Sequence, residues 1–340
     1  MSIASKFSKL GPGLLFAGAA IGVSHLVQST RAGADYGFEL IWVIIFANLI
    51  KYPFFEFSPR YTVATGDSLL KGYQRQGKWA IVLYLLVTLT TMFTVVAAVT
   101  LVTASITSNI FGQSIGLVEY SIILLIICAI ILFVGKYHFL DSLVKWIIVL
   151  LAISTITAAI FAMGSNPLPV KEAPSVWRDA GILFLIGFIG WMPTTLDIAV
   201  MQSVWILDKK RESEFDLKTA LFDFNVGYIG TAILAFFFLT LGAMVMFGSD
   251  ESFSSAGTVF ANQFIQLFTK SIGDWSIVII QIAALTTMFS TTLTCIDGFP
   301  RALTELISMY DKSEATHQKN SQRYMIILLV VAFGSVLVIS

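Results

Sequence analysis

The sequence predicts an all-α, polytopic membrane protein whose first and sixth helices are each broken in mid-membrane. Three observations carry this. Of 340 residues, 56% are hydrophobic and only 12% charged, with a mean hydropathy of +0.83; a soluble domain carries about 25% charged residues. Apolar windows of the roughly 20 residues that cross a bilayer recur nine times. Two of them are interrupted at their centres by Gly, Pro and polar residues, and non-helical backbone is tolerated at that depth only where protein or a water-filled cavity surrounds it.

In chain order the windows are 11–34, 38–57, 80–108, 116–135, 140–163, 178–207, 221–247, 272–298 and 323–340. Before them, MSIASKFSKL lacks the apolar core and cleavage site of a signal peptide, so the first helix is expected to act as its own insertion signal. That helix enters at Gly11-Pro12-Gly13, places Gly22-Val23-Ser24-His25 at mid-depth and leaves through Ser29-Thr30-Arg31. The sixth runs GILFLIGFIG into Trp191-Met192-Pro193-Thr194-Thr195 and resumes with Asp197. Pro193 has no N–H and crowds the preceding turn, which predicts a break there. Interrupted helices at corresponding places of two halves are the sign of inverted repeats. The repeats are expected over 1–163, with helices one to five, and 164–340, with helices six to nine and the last window still apolar at Ser340.

Orientation follows from basic residues. Sixteen of the 21 lysines and arginines fall in one set of loops, among them Lys6, Lys9, Lys136, Lys145 and Lys312. Four, including Lys171, fall in the other, and Lys51 lies inside the second span. The N-terminus is therefore placed in the cytoplasm of a multi-pass protein of a bacterial inner or cell membrane. Zero net charge gives nucleic acid no electrostatic attraction. No Walker-type motif is present, so no nucleotide partner is expected. Cys128 and Cys295 read as small buried hydrophobes. No nucleophile and base stand together, and His138 and His317 are assigned to cytoplasmic loops, so no enzyme activity and no cofactor are expected.

GPGLLFAGAAIG, RAGADYGFELIWVIIFANL and RYTVATGDSL resemble the first two helices of the NRAMP divalent-metal transporters, ungapped over about 55 positions. The matching residues are Gly11-Pro12-Gly13, Ala32-Gly33-Ala34, Tyr36-Gly37, Leu40 to Val43, Ala47-Asn48-Leu49, Arg60 and Thr65-Gly66. Met192-Pro193 falls on the Met-Pro-His of that family's helix six, and Cys295 to Phe299 on the end of its helix eight. The resemblance implies a leucine-transporter-type inverted repeat with broken helices one and six. The chain departs from it where the family's Asp-Pro-Gly-Asn becomes Gly22-Val23-Ser24-His25. The His after the Pro is Thr194, a later His falls on Ala199, and helix three has no charged residue.

The expected function is secondary active transport of a small cation, a divalent metal ion first, by alternating access. The lipid bilayer and that ion, or another small solute, are the expected partners. The expected substrate contacts are Gly22, Ser24, His25, Ile189, Met192, Thr194 and Asp197, with His25, Met192 and Asp197 as metal ligands. Imidazole and thioether suit late transition metals, and an intramembrane carboxylate signals function by default. Each has a plainer reading: His25 as a cap on carbonyls freed by the break, Met192 as packing beside Pro193, Asp197 as a helix cap. A same-fold transporter of a non-metal solute and a non-transporting receptor are the alternatives.

Five further expectations concern supporting residues. Lys51 and Glu56 are expected to pair across Pro53. Asp223 either caps helix seven or, with Asn225, reaches the cavity. Asp297 and Arg301 form an i,i+4 pair. Thr91, Thr94, Thr100 and Thr103 bond between helices or wall a cavity. Gly22 leaves extra volume at the break.

Overall fold

The chain turns helical at Pro12, whose fixed φ and absent N–H suit the first position of a helix. α1 (Pro12–Ala20) ends where Gly22 takes φ −137° and ψ −125°. The backbone resumes as a π-helical segment, Val23–Ser29, and then as α2 (Thr30–Tyr36). The structure is a computed structural model and describes residues 11–134, 137–165, 172–178, 180–212, 214–249, 252–254, 256–311 and 317–340, with side chains described except at 137–148, 165, 180, 212, 317 and 318. Lys6, Lys9, Lys136, Lys171 and Lys312, and the side chains of His138, Lys145 and His317, lie outside what is described. The backbones of His138 and His317 fall in the first turns of helices rather than in loops.

Eleven further α-helices follow among the described residues: α3 (Ile41–Thr65), α4 (Leu69–Gln76), α5 (Lys78–Phe111), α6 (Leu117–Val134), α7 (Tyr137–Ser165), α8 (Ala180–Trp191), α9 (Asp197–Glu212), α10 (Leu217–Val245), α11 (Gly257–Ile272), α12 (Ile277–Tyr310) and α13 (His317–Ile339). No strand occurs among these residues. Among the described residues seven helices are long and apolar enough to cross a membrane, and shorter apolar helices at Val149–Gly164 and Gly181–Trp191 stand at the fifth and sixth windows. The protein is an integral, multi-pass membrane protein.

Three differences from the sequence reading have physical causes. α3 runs on to Thr65, past the expected end at 57, because Pro53 and Pro59 each remove only one N–H; its stop is Gly66, left-handed at φ +72°. α12 likewise continues through Pro300 to Tyr310. α4 and α11 were not expected at all, since each is amphipathic and its polar face leaves no apolar window of membrane length.

Burial sorts the helices into an inner and an outer set. Of the most apolar window in Pro12–Tyr36, 83% is buried inside the protein, against 17% in Lys319–Ile339. The first helix is thus the centre of the bundle and α13 faces outward. α10 lies along both of its halves, and glycines set the approach. A Cβ on Gly13 would fall 2.1 Å from the Asp223 carbonyl oxygen, and one on Gly227 2.2 Å from that of Gly13. Further along, a Cβ on Gly33 would lie 1.9 Å from the Leu239 oxygen and one on Gly242 2.1 Å from that of Thr30. Small residues permit such contact where no hydrophobic force draws helices together. Phe16, Phe55, Phe224 and Tyr228 fill the junction of α1, α3 and α10, with ring centroids 5.1–5.9 Å apart.

Asp223 caps neither its own helix nor a cavity. Its carboxylate accepts from the N–H groups of Gly11 (3.0 Å) and Gly13 (2.6 Å), at the start of the first helix, while Asp216 caps α10. Asn225 accepts from the Tyr52 hydroxyl at 2.8 Å. The Asp297–Arg301 pair forms (2.6 Å) and extends: Tyr324 of α13 donates to Asp297 at 2.5 Å, and Arg301 reaches Asp208 of α9 at 3.2 Å. Cys128 and Cys295 are free and buried.

Candidate functional site

The two interruptions adjoin. The π-helical segment packs on α8, and α1 packs on α9. At each one the chain leaves carbonyls without intrahelical partners, and the side chains that answer them define the site.

At the first interruption, His25 is fully buried. Its Nε2 lies 2.8 Å from the Thr231 carbonyl of α10, and its Nδ1 2.6 Å from Ser24 Oγ and 2.9 Å from the Ala20 carbonyl. Which ring nitrogen carries the proton decides which carbonyl is answered: Nε2–H donates to Thr231, Nδ1–H to Ala20. The Ser24 hydroxyl is also in contact with the Ala20 carbonyl. Ser29 and Thr30 donate to the carbonyls of Ser24 (3.0 Å) and His25 (3.3 Å), five residues back, as the wide π turn requires. Both ring nitrogens of His25 are therefore engaged, and a metal at either has to displace a partner.

Gly22 does not leave free volume. A Cβ there would sit 2.6 Å from Thr291 Cγ2, so α12 fills the space. The Thr291 hydroxyl lies 2.8 Å from the Gly18 carbonyl, 3.4 Å from that of Ile21 and 3.1 Å from that of Thr287, its one hydrogen shared among them. Thr291→Val keeps the shape and removes the donor. Thermal unfolding should show a loss of about 1 kcal/mol, and an unchanged midpoint would mean that this hydroxyl does not hold the interruption together.

At the second interruption, Pro193 offers no N–H to the Ile189 carbonyl four residues back, and the chain departs before Thr194 can answer Gly190. The Lys51 ammonium of α3 answers both, at 2.7 and 2.8 Å, with the Thr194 carbonyl 3.5 Å away. This corrects the expected Lys51–Glu56 pair: Glu56 bonds Arg60, one turn on. Met192 is fully buried in an apolar cluster with Ala32, Leu40, Val43, Phe188 and Leu239. Thr194 is buried, and Asp197, 7% exposed, is 3.4 Å from the Thr91 hydroxyl. Asp197 lines a cavity of about 300 Å³ whose other walls include Tyr73, Gln76, Trp79, Tyr84 and Val87. Of Thr91, Thr94, Thr100 and Thr103 in α5, Thr103 bonds Thr292 of α12 at 2.8 Å and Thr91 bonds Asp197 of α9 at 3.4 Å, so these two bond between helices.

The structure thus joins Ser24 to His25, and Ile189 to Thr194 through Lys51. His25, Met192 and Asp197 have separate neighbours: the α10 backbone, an apolar cluster and the α5 cavity. Among the described residues no group of three or more His, Cys, Asp or Glu side chains is placed to hold a metal ion. Sequence reasoning missed Thr231 and Thr291, whose partners are backbone atoms distant in sequence. It missed the partner of Lys51 for the same reason, although an intramembrane lysine was itself a signal.

Comparison with known proteins adds the following. The family model described as natural resistance-associated macrophage protein-like, Nramp, matches residues 13–340. An uncharacterized protein of Pasteurella multocida strain Pm70, PM0681, is 40% identical over 312 residues, which is 90% of this chain and 72% of that protein. A divalent metal cation transporter MntH of Staphylococcus aureus strain Mu3 is 26% identical over 256 residues, 72% of this chain and 56% of the relative. An MntH of Erwinia tasmaniensis is 33% identical over 64 residues, 19% of this chain and 16% of the relative. The chain thus spans little more than half of the length of the S. aureus relative that it matches.

Proposed function

We propose, from the premise that this chain belongs to the Nramp family, that it is a secondary active transporter of a small cation, with a divalent metal ion as the first candidate. The family's fold is the leucine-transporter type. The reading takes 1–163 and 164–340 as the inverted repeats, with the N-terminus in the cytoplasm of a bacterial cell, and assigns the chain no enzymatic chemistry.

The observation that carries it is Asp197, a carboxylate at the start of α9 lining a cavity beside the second interruption. A buried carboxylate inside a membrane is costly unless it serves a cation or a proton. Gly22, Ser24 and His25 would supply the first-helix side of the site. Ile189, Met192, Thr194 and Asp197 would supply the other. A metal on His25 exchanges for the Thr231 carbonyl or for Ser24, so loading requires the π-helical segment to shift against α10. Met192, buried among apolar groups, favours a soft metal once exposed.

A specific observation supports a second reading, the transport of a non-metal solute by the same fold. Lys51 already answers the carbonyls freed at the second interruption, leaving Asp197 as a charge that faces open space.

Purified protein in proteoliposomes, tested for uptake and thermal stabilisation by Mn²⁺, Fe²⁺, Zn²⁺, Co²⁺, Cd²⁺ and Mg²⁺, separates the two. A metal at 100 times its Kd stabilises the folded state by about 2.7 kcal/mol. Uptake of one metal, lost in Asp197→Asn, His25→Ala and Met192→Ala, is the result expected. Flux of an organic solute with no metal response favours the second reading, and no flux of either kind removes both.

A further inference from the structure

Lys51 is an intramembrane charge that the transport reading does not use. It sits near the middle of α3, and its partners are backbone: the Ile189 and Gly190 carbonyls at 2.7 and 2.8 Å, with that of Thr194 at 3.5 Å. The sequence builds this cradle. Met192 N–H answers Phe188 at 3.0 Å, as a helix should. The next donor is Pro193, which has none, so Ile189 is the first carbonyl left bare. α8 therefore ends with its last carbonyls converging on the Lys51 ammonium, at the negative end of a helix dipole. In membrane proteins such half-helix ends coordinate cations.

We propose that the end of α8 is a monovalent-cation site and that Lys51 is its resident cation, carried on α3 instead of drawn from solution. An ammonium has three donors and no acceptor, which suits three carbonyls and nothing else. The ligand class of the site is an alkali-metal or small ammonium ion, admitted once the Lys51 head group is withdrawn. The assignment holds whatever the cargo is, because it concerns what neutralises the α8 end.

The test uses full-length protein in detergent and a choline buffer, which supplies no small cation. Lys51→Ala should unfold at lower temperature than wild type and recover with Na⁺, NH₄⁺ or methylammonium. The rise should be saturable and about 1–2 °C for each kcal/mol of occupancy in a chain of this length. Wild type and Lys51→Arg should not respond, and neither should Lys51→Met, whose side chain fills the path. Rescue by Na⁺ is the telling case, since Na⁺ donates no hydrogen bond and cannot replace a mere hydrogen-bonding tie. If Lys51→Ala cannot be purified, the same titration on Lys51→Ser decides, as its short side chain also leaves the path to the carbonyls open. Absence of a saturable shift beyond that of wild type, with all three cations, overturns the proposal. Because the readout is stability, its failure leaves the uptake result untouched.

Discussion

Asp223→Ala should be among the most damaging single substitutions in this protein, with an expected loss of about 2–4 kcal/mol of stability. Its carboxylate, 1% exposed, accepts from the N–H groups of both Gly11 and Gly13. These belong to the donors that a helix start leaves unanswered. Hydrogen bonds to a charged group contribute about 1.5–3 kcal/mol each, and stranding buried donors adds a desolvation cost. The helix dipole favours the same charge at the same place. Asp223→Asn keeps one acceptor and no charge, so it should fall between wild type and Ala. Thermal unfolding in detergent reads the series, and an Ala variant as stable as wild type would show that this cap does not anchor the first helix.

Gly33→Ala should be comparably damaging although it adds one methyl group. That carbon would fall 1.9 Å from the Leu239 carbonyl oxygen, so α2 and α10 have to part along a seam that also holds Gly242 against Thr30. Overpacking of this kind costs about 1–3 kcal/mol, and backbone on both sides leaves nothing soft to yield. Gly230→Ala is the control. It lies on the same α10 with nothing within 4 Å of an added Cβ, and replacing a helical Gly by Ala is worth up to about 1 kcal/mol in its favour. Opposite shifts in unfolding temperature are expected; equal shifts would mean that the seam is not close-packed.

These two residues mark the limits of what the sequence discloses. The spans were legible because apolar windows of membrane length are rare by chance, and the interruptions because Gly22 and Pro193 stand where a helix is otherwise uninterrupted. α4 and α11 were not legible, having no window of that length. Partner choice was the weakest reading. Glu56 lies five residues from Lys51 and was the natural candidate, but the ammonium binds carbonyls 138 and 139 residues away, and backbone atoms leave no trace in residue type. Asp223 misled similarly. An acidic residue near a helix start suggests a cap for that helix, whereas this one serves a helix 210 residues earlier. Gly22 suggested space, and only the approach of Thr291 shows that the space is filled.

If the protein works by alternating access, as proposed, the contacts of Arg301 bear on how readily α9 moves against α12. Its bond to Asp297 lies within α12 and travels with that helix, whereas its 3.2 Å contact with Asp208 is the one that sliding of α9 past α12 must break. The side chains of Arg301 and Asp208 are 35% and 38% exposed, so water and salt screen them. Such a pair contributes about 1 kcal/mol at most, a factor of about five in the ratio of two conformers. The latch therefore sets a bias and leaves no deep trap, and raising ionic strength should shorten the lifetime of the latched form while leaving the fold intact.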